Sequence, residues 1–117
     1  MEKITSNDIK KMSYTDFVGF INQWNVLPGA FNTLSKWAAF SNLNEDSEIL
    51  EIACTTGFSS RELALISNCR GKAFDISKRS IDAAIKNKQK YAPNIKIDYF
   101  VEDGYKFKTK EKFSFQA

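Results

Sequence analysis

Residues 48–58, Glu48-Ile49-Leu50-Glu51-Ile52-Ala53-Cys54-Thr55-Thr56-Gly57-Phe58, decide how this chain is read. Glu48 to Cys54 is a short, mainly apolar run, the pattern of a strand buried on both faces of a parallel sheet. Thr55-Thr56-Gly57-Phe58 predicts a tight turn. Ser59 precedes Glu62 by three residues, the spacing of a capping box, so a helix is expected to follow with Leu63, Ala64 and Ile66 on its apolar face. A strand that turns sharply into a helix aims unpaired backbone N–H groups at whatever lies over the turn, which suits a carboxylate or a phosphate.

The pattern continues downstream. Gly71-Lys72-Ala73-Phe74-Asp75-Ile76 predicts a second strand, and Ser77 caps a helix with Ile81, Ala84 and Ile85 inward, stopped by Pro93 near Tyr91. Ile95-Lys96-Ile97-Asp98-Tyr99-Phe100-Val101 predicts a third strand, and Lys112-Phe113-Ser114-Phe115 opens a fourth. A β-α-β-α-β order requires right-handed crossovers and a parallel sheet. Upstream, Thr15-Asp16 can cap a helix carrying Phe17, Phe20, Ile21 and Trp24 on one face, and Pro28-Gly29 breaks it. A second helix with Phe31, Leu34, Trp37, Ala38 and Leu43 follows, then a polar loop over Asn42 to Ser47. These aromatic stripes read as core. The fold class is therefore α/β, a three-layer Rossmann-like parallel sheet of about four strands. Residues 1–47 form a helical lid segment and residues 48–117 a β/α unit, together one compact body.

Composition narrows the chemistry. The 117 residues are 43% hydrophobic with ten Phe and two Trp, enough to bury a core. The net charge of +3 comes from basic residues spread along the chain, so a nucleic-acid partner is not expected. There is no His, which removes the commonest general base and metal ligand, and Cys54 and Cys69 give no metal-ligand spacing. Both thiols are expected reduced and half-buried. The start, Met1-Glu2-Lys3, has no apolar region after it, and no run approaches the ~20 apolar residues of a membrane span. A soluble, cytoplasmic protein is expected.

Asp75 ends the second strand 18 residues past Gly57, a spacing suited to a carboxylate that meets ribose hydroxyls at a topological switch point. Taken together, Ile49 to Gly57 resembles the first motif of class I S-adenosylmethionine-dependent methyltransferases, an acidic strand end followed by alternating glycines. Gly71 to Ser77 resembles their second motif, Val101-Glu102-Asp103-Gly104 their third, and Glu111-Lys112-Phe113-Ser114 the start of their fourth. The resemblance covers residues 48 to 117 and implies S-adenosylmethionine as cofactor. It implies Glu51 near the methionine amino group, with Ala53, Cys54, Thr55 and Gly57 at the turn lining the methionine part. It implies Asp75 on the ribose, Ile76 packed on adenine, and Asp103 with Gly104 at the adenine amino group.

The resemblance also has departures. Two of the three glycine positions are Ala53 and Thr55. Ala53 costs little if its φ is negative, whereas Thr55 is β-branched and would crowd a close ligand. Ser114 stands where the fourth motif usually has Asp. The chain reads as a truncation, with Phe113 and Phe115 on an open sheet edge through which a homodimer is expected. The implied function is methyl transfer to an unidentified, small-molecule acceptor, with no catalytic residue assigned. The alternative is a non-catalytic module that keeps the fold. A nicotinamide enzyme would need Gly-x-Gly-x-x-Gly, of which only Gly57 is present.

Overall fold

The computed structural model describes residues 4–24, 28–107 and 115–116. Three helices, α1 (Ser6–Lys11), α2 (Tyr14–Ile21) and α3 (Ala30–Phe40), lead into an alternating unit. That unit runs β1 (Glu48–Ile52), α4 (Phe58–Ser67), β2 (Arg70–Asp75), α5 (Lys78–Tyr91), β3 (Lys96–Val101) and β4 (Phe115–Gln116). All strand pairs are parallel, in the spatial order β3-β2-β1-β4. Ile49 stands opposite Gly71 on one side and Phe115 on the other, so β1 is central. The chain steps outward from β1 to β3 and then returns to the far side of β1. The switch point therefore falls beside β1, at the strands' carboxyl ends.

Strand alternation sorts the core. Ile49, Ala73, Ile97 and Tyr99 join Leu34, Phe58, Leu63, Ala64, Ile81 and Ala84 in one buried cluster beneath α3, α4 and α5. Residues of opposite parity carry a second, aromatic group. The Phe74 ring lies 5.5 Å from Phe100 and 4.7 Å from Phe107, which comes back across the sheet after β3. Fully burying one such aliphatic side chain is worth roughly 1.5–3 kcal/mol.

The local signals were partly overridden. Ser77 caps α5 as expected, its hydroxyl accepting from the Ser80 N–H, and α5 ends at Tyr91. Ser59 does not cap α4. Gly57, at φ 86°, turns the chain into the helix two residues earlier, and Ser59 falls in its first turn. Likewise α2 starts at Tyr14 behind a Ser13 cap rather than at Thr15-Asp16, and α1, with a Thr5–Asp8 capping box, was not foreseen. The front aromatic stripe is not core: Phe17 and Phe20 are half-buried, and Ile21, Trp24 and Phe31 are exposed. Leu34 and Ala38 are buried as expected. Both cysteines are fully buried free thiols, not half-buried. Of the fourth strand, Lys112, Phe113 and Ser114 lie outside the described residues, as does the Glu111–Ser114 segment. Among the described residues, no helix is long and apolar enough to cross a membrane, and no group of three or more Cys, Asp or Glu is placed to hold a metal.

Helix α2 is fastened to α5 by polar contacts. The Ser77 hydroxyl donates to Asp16 Oδ1, the Ser80 hydroxyl donates to the Thr15 carbonyl at 2.6 Å, and Asn22 and Asn87 exchange amide hydrogen bonds. Gly19 permits this approach, because a Cβ there would overlap the Ser80 backbone. Gly19→Ala is expected to cost about 1–3 kcal/mol, the usual penalty for overpacking, read as a lower urea midpoint. An unchanged midpoint would show that α2 contributes no stability through this face.

Candidate functional site

Beyond β1 the chain makes a turn from Ala53 to Gly57 whose backbone decides the site. Ala53, Thr55 and Gly57 have φ of 58°, 49° and 86°. All three alternate positions thus follow the left-handed path natural to glycine. The expectation of a negative φ at Ala53 is wrong. Only Gly57 adopts this region freely; an L-residue pays on the order of 1–2 kcal/mol, and a β-branched one is a genuine outlier.

Strain of this size persists only where the surroundings over-determine it. Here the constraints are visible. The Thr55 N–H donates to Asp75 Oδ2 at 3.0 Å, the Cys54 N–H to the Phe74 carbonyl, and the Gly57 N–H to the Cys54 carbonyl. Thr56 is completely buried. Its hydroxyl donates to the Gln23 carbonyl, and its own carbonyl accepts from Asn87 Nδ2. The Tyr99 hydroxyl donates to the Gly57 carbonyl at 3.1 Å, and the Tyr99 ring leaves no room for a Cβ on Gly57. Five separate segments therefore hold the turn.

Over the turn lies a cleft of about 260 Å³ at the carboxyl ends of β1, β2 and β3. Ile52 and Phe74 form part of its wall with Gly104 close against both, and Ala53, Thr55, Asp75, Ile76 and Asp103 also line it. The structure thus brings together six of the nine residues singled out in the sequence. Gly57 and Cys54 are buried behind the turn and do not line the cleft, and Glu51 sits one step further back. Thr15 of α2, Ile52, Phe74, Glu102 and Tyr105 complete the lining and were missed. Alternation along β1 and β2 could have pointed to Ile52 and Phe74; no local signal could have brought in Thr15, which comes through the packing of α2 on α5.

Asp75 is only 3% exposed. Its Oδ2 holds the Thr55 N–H and its Oδ1 the Ser77 N–H at 2.9 Å, so it joins the turn to the start of α5. Asp103 accepts from the Tyr105 N–H, and the Asp103 N–H donates to Glu102 Oε1. Asp75, Glu102 and Asp103 give the lining three carboxylates, and no Lys or Arg is among its described residues.

Glu51 is electrostatically the most unusual group. Its Oε1 is buried with no hydrogen-bond partner among the described residues. Burial drives its carboxyl up to about 7; the Ser60 hydroxyl and N–H oppose the rise, and Asp75 adds to it. The Cys54 thiol is also pushed far up, first by burial and then by Glu51 and Asp75, which makes it inert rather than nucleophilic. Arg61 was not anticipated either. It is 1% exposed, and its guanidinium lies 4.6 Å from the Trp24 ring centroid and 5.7 Å from those of Phe58 and Tyr91. Those π-faces offset part of the cost of burying the charge.

No family model matches the chain, and no curated protein matches it. Solved structures do. The chain is similar to MccD protein at 34% identity and a TM-score of 0.61, over 68% of this chain and 35% of that one. It is also similar to a SAM-dependent methyltransferase from Thiobacillus denitrificans in complex with S-adenosyl-L-homocysteine (13% identity, TM-score 0.69, 87% of this chain and 41% of that one). A SAM-dependent methyltransferase from Geobacter sulfurreducens, in complex with the same ligand, gives 14% identity and a TM-score of 0.68 over 84% and 40%. The chain spans well under half the length of each.

Proposed function

We propose that this chain, which has the Rossmann-like fold of the class I S-adenosylmethionine-dependent methyltransferases, binds S-adenosylmethionine in the cleft over the 53–57 turn. It would serve as the cofactor-binding part of a methyltransferase. The observation that carries the reading is the lining of that cleft. Apolar walls at Ile52, Phe74 and Ile76 suit a flat purine, and three carboxylates with no Lys or Arg among the described lining suit hydroxyls, an amino group and positive charge. A pyrophosphate would meet like charge there, which disfavours a dinucleotide.

The assignment of roles follows. Asp75 and Asp103 receive the ribose hydroxyls and the adenine amino group, with Ile76 and Gly104 beside the ring. Ala53, Thr55 and Gly57 present backbone to the methionine part, Cys54 supports them from behind, and Glu51 faces the amino group. When bound, the cofactor supplies an electrophilic methyl on sulfur. The chain's own part is to hold that ligand rigidly and exclude water, and the gain from such positioning is entropic. The methyl acceptor would be a small molecule held by other elements.

Isothermal titration with S-adenosylhomocysteine, adenosine and 5′-AMP tests the reading. Adenosine is expected to bind about tenfold more tightly than 5′-AMP, because the phosphate would face the carboxylates. Asp103→Ala is expected to weaken S-adenosylhomocysteine by about tenfold, the loss of one charge-assisted hydrogen bond, without changing the melting temperature. A folded chain that prefers 5′-AMP, or that binds none of the three, refutes the proposal.

A further inference from the structure

The turn has a feature that cofactor binding does not require. At Thr55 a β-branched side chain occupies a left-handed position, at φ 49°, and this residue lines the cleft. Its hydroxyl makes no hydrogen bond among the described residues, so the side chain takes no part in holding the turn together. The backbone beneath it is held by Asp75 from one side, while the neighbouring Thr56 is tied to Gln23 and Asn87. A ligand pressing on this wall therefore meets a side chain on a backbone that cannot retreat. The cleft, at about 260 Å³, lies just below the ~300 Å³ at which ligand pockets ordinarily begin.

We propose that Thr55 is a specificity-determining residue. Its side chain fills the space that glycine would leave against the turn, and so limits how closely the tail of a nucleoside ligand approaches while leaving the nucleoside end untouched. Gly104, which lies against Ile52 and Phe74, and the carboxylate of Asp103 line the cleft elsewhere and are not narrowed by it. The inference rests on the reading of the cleft as an S-adenosylmethionine site. It makes the departure from glycine at this position a determinant of which ligand is held, and how tightly.

The test is calorimetric titration of the wild-type chain, Thr55→Gly and Thr55→Val with S-adenosylhomocysteine and with adenosine. Thermal melts establish that each variant is folded. Thr55→Gly is expected to bind S-adenosylhomocysteine about tenfold more tightly, with adenosine changed by less than about threefold. Thr55→Val keeps the shape and discards the hydroxyl, and is expected to match wild type with both ligands. Equal gains for both ligands, or no gain for either, would overturn the inference while leaving the cofactor site standing. A loss in Thr55→Val would overturn it too, since the hydroxyl would then be a contact. Absence of binding by folded wild type and folded Thr55→Gly alike would refute the cofactor reading itself, and the inference with it.

Discussion

Glu51→Gln is expected to raise stability at pH 8 by roughly 1–3 kcal/mol and to flatten the pH dependence of melting between pH 5 and pH 8. The Glu51 carboxyl sits at about 7 when folded, against 4.5 for the model carboxyl, with burial the main cause. Between these values the folded chain binds more protons than the unfolded chain, so stability falls as pH rises through that window. Below it both states are protonated and the group contributes no difference. Above it the full cost of a buried, partnerless Oε1 charge is present. A glutamine is neutral throughout and removes the slope, at the smaller cost of burying an amide. In degrees the gain at pH 8 is on the order of 10 °C, read by thermal melts at pH 5, 6.5 and 8. A variant with the slope of wild type would show that Glu51 is ionised and solvated in the folded chain.

The same carboxyl bears on ligand binding. An arriving ammonium group favours the ionised form, so S-adenosylhomocysteine is expected to bind more tightly as pH rises through about 7, with proton release measurable in buffers of different ionisation enthalpy. Glu51→Gln is expected to lose both the pH dependence and the release.

The second large effect is at Asp75. Its alanine variant loses two charge-assisted hydrogen bonds, to the Thr55 and Ser77 N–H groups, each worth about 1.5–3 kcal/mol. It also frees the backbone at the strained Thr55. A total cost of about 3–5 kcal/mol is expected, a large share of the 5–15 kcal/mol that holds an ordinary domain. Because Asp75→Ala alone could fail to fold, Asp75→Asn provides the graded comparison. It keeps one acceptor and presents an amide donor to the other N–H, so its loss is expected to be intermediate. Urea midpoints measure the cost, and amide exchange at Thr55 reports the site directly, with protection expected to fall in both variants. Unchanged midpoints in Asp75→Ala would mean that the turn is held without this carboxylate.

These experiments bear on residues whose legibility in the sequence differed. Asp75 was legible because a carboxylate at a strand end, just before a capping Ser77, is a local pattern. Asp103 and Gly104 could be placed through the resemblance and Glu51 by its position in β1. Thr15 and Arg61 had no such signal. One reaches the cleft because Gly19 lets α2 close on α5, and the other is buried only because Trp24, Phe58 and Tyr91 meet around it.

The sequence by itself determined the parallel β-α-β order, the Ser77 cap and the end of α5 near Pro93, because these depend on periodicity and on neighbours a few residues away. Tertiary structure alone decided the course of the turn. At Ala53 and Thr55 local preference favours negative φ, and hydrogen bonds and packing from Asp75, Asn87, Gln23 and Tyr99 override it. A backbone conformation against intrinsic preference can be held only by partners distant in sequence, and those partners are brought together only once the sheet and α5 have formed.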